Sequence, residues 1–67
     1  MVNTPEFKAM LARHEATQSD IANLLGLSVS AVNGRINGQI EFRRNEISAI
    51  RKEYGLTDEE TMSIFFN

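Results

Sequence analysis

The stretch that most constrains the fold is residues 17–38, TQSDIANLLGLSVSAVNGRING, which has the pattern of two short helices joined by a tight turn. Thr17 is suited to cap the first helix, because its hydroxyl can accept a hydrogen bond from an amide in the first turn. Apolar residues then recur at helical spacing up to Gly26, which can adopt the left-handed conformation that ends a helix. Ser28 is suited to cap the second helix. The pattern predicts a helix-turn-helix, with residues 29–37 as its recognition helix.

This segment resembles the Cro/CI-type, lambda-repressor-like helix-turn-helix of temperate-phage regulators. The matching residues are Thr17, Gln18, Ile21, Ala22, Leu25, Gly26, Leu27, Ser28, Val32, Asn37 and Gly38. Ala22 is small where the two helices cross, and Val32 fills the angle between them. The remainder of the chain is also similar to small regulators of Gram-positive phages and prophages, so the resemblance covers roughly residues 4–67. Gly34 departs from the family, which usually carries a bulkier residue at that position.

The segment before the helix-turn-helix predicts a first helix. Thr4 is suited to cap it, and Pro5 occupies the first helical position, where a missing amide hydrogen costs nothing. The residues that recur at helical spacing along its inner face are Phe7, Met10, Leu11 and His14. We expect this face to pack on the helix-turn-helix pair, with His14 as its half-buried end.

A loop and a fourth helix are predicted next. Ile40 and Phe42 alternate with polar residues, but no second strand is available to pair with them, so an anchored loop is expected. A helix over residues 43–54 then ends at Gly55 and Leu56, as in a Schellman ending.

A fifth helix closes the chain. Thr57 and Glu60 have the spacing of a capping box, and Met62, Phe65 and Phe66 fall on one face, which we expect to pack inward. The chain is therefore predicted to be one domain, residues 1–67, with a compact, all-α, five-helix fold of the lambda-repressor-like type.

Composition gives no sign of a secreted or membrane protein. The chain has no cysteine, so it offers neither a disulfide nor a thiolate metal site. No apolar run approaches the length of a transmembrane helix, and the N-terminus lacks a signal sequence. We therefore expect a soluble protein in the cytoplasm of a bacterial host cell.

The net charge of −2 is unevenly distributed along the chain. Residues 34–52 hold five basic and two acidic residues, a local charge of +3. Residues 53–67 hold four acidic residues and no basic residue, a local charge of −4. A basic surface can therefore coexist with an acidic one, and a DNA phosphate responds to the local field.

Catalysis is not expected. An active site needs a nucleophile with a base, paired carboxylates or a metal, and His14 is the only histidine in a chain without cysteine. The glycines lie at helix ends and inside a helix, so they do not form a phosphate-binding loop. We expect no cofactor, no metal and no small-molecule substrate.

Contacts that would position the protein on DNA are predicted at three places. Gln18, at the positive end of the second helix, matches the family residue that holds a phosphate, and Asn37 is expected to face the same strand. Arg43 and Arg44 oppose the dipole of the fourth helix, which favours anions at its first turn. A bound phosphate would reverse the sign of that interaction. The alternative is two solvated arginines with little effect on stability.

The recognition helix carries the candidate base contacts. Val29 can touch a thymine methyl, although a hydrophobic staple is an equal alternative; Ser30 can bond either kind of base edge, and Asn33 suits adenine. Arg35 suits guanine or a phosphate. The full expected DNA-binding set is Gln18, Ser28, Val29, Ser30, Asn33, Arg35, Asn37, Arg43 and Arg44.

Two further features lead to expectations. Gly34 weakens the recognition helix, and it could serve a close approach of the backbone to the groove or be a tolerated substitution. Three large apolar residues, Ile64, Phe65 and Phe66, follow one another near the C-terminus and cannot all face inward. We expect Ile64, with one of the two phenylalanines, to line a weak homodimer contact.

Two functions are consistent with these features. The first is a phage or prophage transcriptional regulator of the Cro or repressor type, which binds double-stranded operator DNA as a dimer through the major groove. The second is a protein-interaction module, antirepressor-like or antitoxin-like, on the same helical scaffold. The acidic C-terminal segment favours the second, and the arginine pair favours the first.

Overall fold

A computed structural model describes all residues, 1–67, as five helices without strands. The helices are α1 (Thr4–Arg13), α2 (Gln18–Leu25), α3 (Val29–Ile36), α4 (Arg44–Tyr54) and α5 (Asp58–Phe65). The predicted all-α, five-helix fold is confirmed. Helix α3, the predicted recognition helix, ends one residue earlier than predicted, because Asn37 leaves the helix as its C-cap. None of the five helices has the length and apolar character needed to cross a membrane.

The helix-turn-helix is held by the local signals that predicted it. Thr17 caps α2 by accepting from the Asp20 N–H at 3.2 Å, and the Asp20 carboxylate accepts from the Thr17 N–H at 2.8 Å. Gly26 ends α2 in the left-handed region at φ 68°. Ser28 then caps α3 by accepting from the Ala31 N–H at 3.1 Å. These local bonds define where α2 begins and ends and where α3 begins.

The core is a single cluster of eleven buried apolar residues, to which every helix contributes. The loop between α3 and α4 is anchored to this core by Phe42, as predicted. The Phe42 ring stacks on Phe7 of α1 at a centroid distance of 5.4 Å and meets the edge of Phe65 of α5 at 5.2 Å. The three rings hold α1, α5 and the loop before α4 together.

The first helix differs from prediction at both ends. Asn3, not Thr4, is its N-cap, and the Asn3 side chain accepts from the Glu6 N–H at 3.1 Å. The Thr4 hydroxyl instead donates to the carbonyl of Ile36 at 2.6 Å, which ties the start of α1 to the end of α3. His14 is exposed rather than half-buried, because it lies beyond the last helical turn, beside Tyr54.

The fourth and fifth helices confirm the predicted local motifs and correct a predicted face. Gly55 is left-handed and the Leu56 N–H donates to the Arg51 carbonyl at 3.0 Å, which is the Schellman bond. Thr57 and Glu60 form the predicted capping box. The buried residues of α5 are Thr61, Ile64 and Phe65. Of the expected inward face of Met62, Phe65 and Phe66, only Phe65 is buried; the prediction is wrong for Met62 and Phe66, which are exposed.

Candidate nucleic-acid interface

One side of α3 is buried and the other is free. Val32 and Ile36 are completely buried, whereas Ser30 and Asn33 are exposed. Val29, in the first turn, keeps 47% of its surface accessible, so it is not sealed into a hydrophobic contact. The side chains proposed to read bases therefore lie on an accessible helix surface.

Two asparagines on this surface form a pair one turn apart. The Asn37 side-chain N–H donates to Oδ1 of Asn33 at 3.1 Å, and both residues are exposed. A side-chain amide oxygen can accept two hydrogen bonds, so Asn33 keeps one acceptor and both donors free. Those are the groups that a bidentate contact to adenine requires.

Gln18 and Ser28 occupy the N-termini of the two helices of the motif. Gln18 is the first residue of α2 and is half-buried. Ser28 is exposed, and its hydroxyl oxygen already serves as the α3 cap. Because the cap uses only the oxygen as an acceptor, the hydroxyl O–H can still donate to a phosphate.

Arg35 does not belong to the exposed surface, which corrects its expected role in DNA contact. It is only 6% exposed, and its Nε donates to Oε1 of Glu46 on α4 at 2.9 Å. Its Nη1 also donates to the Ala31 carbonyl at 3.2 Å. The guanidinium is directed into the protein because Arg35 falls beside Val32 and Ile36 on the inner side of α3. The prediction failed because the helical pattern alone did not reveal a buried anionic partner.

Arg43 and Arg44 remain free at the start of α4. Arg43 is the N-cap and Arg44 the first helical residue, and both are exposed. The three ion pairs of the chain, Arg13–Glu60, Arg35–Glu46 and Arg51–Asp58, involve neither of them. Two adjacent cations that form no ion pair therefore lie where the helix dipole disfavours them, although the charge of Arg43 also contributes to lowering the pKa of Glu46.

Glu46 is the residue of this region that the sequence interpretation missed. It is 6% exposed, and its Oε1 accepts both from Arg35 and from the Arg43 backbone N–H, each at 2.9 Å. Burial by itself would raise the pKa of Glu46, but the hydrogen bonds from Arg35 and Arg43 together hold it below its usual value of 4.5. The available signal was its spacing, three residues after the N-cap, which is that of a capping box.

Gly34 is covered by the loop that follows α3. Its carbonyl accepts from the backbone N–H groups of Gln39 at 2.9 Å and Ile40 at 3.2 Å. A Cβ placed on Gly34 would lie 3.4 Å from Cδ1 of Ile40 and 3.7 Å from Oε1 of Gln39. These are ordinary van der Waals distances, so the loop packs over Gly34 without requiring a glycine at this position.

Of the three expected dimer residues, the fold buries two and leaves one exposed. Ile64 is only 1% exposed and Phe65 4%, so both close the core. The prediction that Ile64 lines a dimer contact is therefore wrong. The Ile64 carbonyl also accepts from the Asn3 N–H at 2.7 Å, which fixes that side of α5 against the start of α1. Phe66 is 56% exposed, and Met62 one turn before it is exposed as well.

Comparison with known proteins identifies the family of the chain. The family model described as the BetR domain matches residues 7–64, a span that reaches all five helices and includes the whole helix-turn-helix and Glu46. No curated protein and no solved structure gives a significant match. The family match agrees with a small helical domain and does not distinguish a Cro or CI type. The chain belongs to the BetR domain family.

Proposed function

We propose that this protein is a sequence-specific transcriptional regulator that binds double-stranded DNA with α3 in the major groove. The observation that carries the proposal is the arrangement around α3. Its exposed side holds hydrogen-bonding side chains, and the start of α4, which Glu46 links to α3, holds two exposed arginines that form no ion pair. The membership of the BetR domain family supports a regulatory, DNA-binding role at this coarser level.

Base reading is assigned to the outer side of α3. Asn33 offers one acceptor and two donors beside its bond from Asn37, the combination that pairs with N7 and N6 of adenine. Ser30 can contact either kind of base edge, and the accessible methyl groups of Val29 suit a thymine methyl. These three side chains span little more than one helical turn, which matches two or three adjacent base pairs.

Phosphate binding is assigned to the two helix starts that flank α3. Arg43 and Arg44 bring two cations to the N-terminus of α4, where free amides and the helix dipole also favour an anion. Gln18 and the Ser28 hydroxyl would contribute from the helix-turn-helix side. Two of the four acidic residues of the C-terminal segment already pair with arginines of the chain, Asp58 with Arg51 and Glu60 with Arg13, so the segment opposes a bound phosphate less than its formal charge indicates.

The proposal includes a homodimer on a paired operator, acting by occlusion as a phage Cro or repressor does. Met62 and Phe66 support it, because two large apolar side chains one turn apart form an exposed patch on α5.

The exposed apolar patch also keeps the second candidate open, a protein-interaction module of antirepressor-like or antitoxin-like kind. Salt dependence separates the two. Binding to DNA through several phosphates weakens steeply as salt rises, whereas binding to a protein through an apolar patch does not.

The test is fluorescence anisotropy of a labelled random duplex pool titrated with the protein at increasing salt, followed by selection of the tightest-bound sequences. We expect affinity to fall with salt and one sequence to be enriched. Absence of duplex binding at low salt, or binding without any enrichment, would contradict the proposal.

A further inference from the structure

One oxygen atom joins the recognition helix to the arginine pair. Oε1 of Glu46 accepts from Nε of Arg35, near the end of α3, and from the backbone N–H of Arg43, immediately before α4. Both distances are 2.9 Å. The group that holds α3 is therefore the same group that sets the conformation of the residue at the start of the proposed phosphate clamp.

Stability alone is a weak reason for this arrangement. The desolvation of a buried ion pair offsets most of its attraction, and apolar residues of similar volume often replace such a pair without loss. What the pair supplies is a defined geometry, because the planar guanidinium donates in fixed directions, from Nε to Glu46 and from Nη1 to the Ala31 carbonyl. Arg35 is also bonded to Ala31 of its own helix at 3.2 Å, so the guanidinium cannot turn independently of α3.

DNA recognition gives this geometry a use. Phosphate contacts fix the register of a protein on the duplex, and base contacts then read the sequence. Asn33 lies on α3, whereas Arg43 and Arg44 lie at the start of α4. Both helices pack on α2, and the Glu46 bridge is a direct polar link between them. Register set at the phosphates of the arginine pair can therefore reach the base-reading surface through this bridge.

We propose that Glu46 and Arg35 are positioning residues for base reading: they hold α3 at a fixed angle to the phosphate clamp and so determine specificity without touching DNA. This inference rests on the proposed function. Its consequence is that removal of the bridge should lower the preference for the selected site while binding to random DNA persists. An ion pair with only a stabilising role would show no such separation.

The test compares two double variants, each of which replaces an arginine by methionine and its carboxylate partner by the corresponding amide. Arg35→Met with Glu46→Gln removes the bridge but leaves an amide oxygen to cap the Arg43 N–H, and it buries no unpaired charge. Arg51→Met with Asp58→Asn is the matched control, because it removes an ion pair between α4 and α5 that is exposed and lies away from α3. Neither double variant changes the net charge. Circular dichroism first establishes that each is folded at the assay temperature.

The measured quantity is the ratio of affinities for the selected duplex and a random duplex at one salt concentration, together with the salt slope on random DNA. We expect the ratio to fall about tenfold in Arg35→Met/Glu46→Gln, the effect of removing one hydrogen bond to a base. Affinity for random DNA and its salt slope should stay within about twofold of the parent. The Arg51→Met/Asp58→Asn control should keep the parent ratio.

An unchanged ratio in folded Arg35→Met/Glu46→Gln overturns the inference, and so does an equal loss of affinity on both duplexes. If that variant does not fold, Arg35→Lys decides, because it keeps the buried charge but replaces the rigid fork by a flexible ammonium. It should lower the ratio and leave random binding intact, and an unchanged ratio overturns the inference. A parent protein that does not prefer any sequence refutes the proposed function itself, which is a distinguishable result.

Discussion

Asn37 donates a hydrogen bond to Asn33 one turn earlier on the exposed side of α3, at 3.1 Å. The bond restrains the Asn33 amide before any DNA is present, so less rotamer entropy would be lost in the proposed base contact. It also leaves the groups that an adenine edge requires unoccupied. Asn37 thereby supports the proposed base contact of its neighbour.

The first prediction concerns this pair. Asn33→Ala should weaken binding to the selected duplex by about 1–3 kcal/mol and relax the preference at one base position, because it removes a bidentate contact to the base. Binding to random DNA should not change. Anisotropy with single-base variants of the selected site measures both effects. Asn23→Ala, an exposed asparagine on α2, is the matched control. Equal weakening on preferred and random DNA would show that Asn33 does not read sequence.

The second prediction concerns the arginine pair. Arg43→Gln with Arg44→Gln should weaken binding to selected and random DNA, and the slope of log affinity against log salt should decrease by roughly one for each phosphate that is no longer bound. Lys8→Gln with Lys52→Gln removes the same charge from two other exposed cations without an ion pair, and it should change the slope less. If both double variants change the slope equally, the effect is one of net charge alone.

The third prediction concerns pH. The pKa of Glu46 is lower in the folded protein than its usual value of 4.5, so below that value the unfolded chain binds more protons than the folded one. The contribution of Glu46 to the free energy of unfolding should therefore be complete above about pH 5. It should decrease as the pH falls through the pKa of the folded state. Urea unfolding between neutral and acidic pH measures this.

Glu60 adds to the same acid sensitivity, because hydrogen bonds from the backbone and side chain of Thr57 lower its pKa as well. The contribution of Glu46 is isolated by comparison with Arg35→Met/Glu46→Gln, which should lose less stability on acidification. An identical pH dependence in both proteins would mean that the buried pair does not contribute.

The fourth prediction concerns Gly34. Gly34→Ala should raise the free energy of unfolding by up to about 1 kcal/mol, since alanine favours the helix and its methyl would meet only the flexible end of Ile40 at 3.4 Å. Gly26→Ala is the contrast, because a left-handed φ of 68° strains any side chain and should destabilise the protein. A destabilised Gly34→Ala would indicate that the loop cannot move aside.

The fifth prediction separates core from dimer surface on α5. Ile64→Ser should destabilise the fold by about 2–5 kcal/mol, because it removes a fully buried side chain and leaves a cavity. Phe66→Ser should change stability little and weaken self-association. Urea unfolding and sedimentation velocity on both variants measure the two effects. A parent that stays monomeric at high concentration and binds DNA as one copy excludes the dimer.

Much of the fold could be predicted because its signals are local. The caps at Thr17, Ser28 and Thr57 and the left-handed glycines at positions 26 and 55 act over four or five residues, so their geometry follows from adjacent side chains. Candidate exposed residues of α3 were predictable for the same reason. Helical periodicity assigns them to the side opposite Val32 and Ile36.

The sequence by itself thus determined the number of helices, their caps and turns, and the helix-turn-helix at the centre of the chain. Only the tertiary structure decided that Arg35 is buried against Glu46, that the loop covers Gly34, and that Ile64 rather than Phe66 enters the core. The bridge from Arg35 to Glu46 crosses between helices, and the burial of Ile64 depends on how α5 packs into the shared core, so neither could be inferred from neighbouring residues. Several apolar residues of one helix could be buried on the basis of helical spacing alone. The shape of the neighbouring helices decides which of them are, because only one rotation of the helix about its axis fills the core without a void.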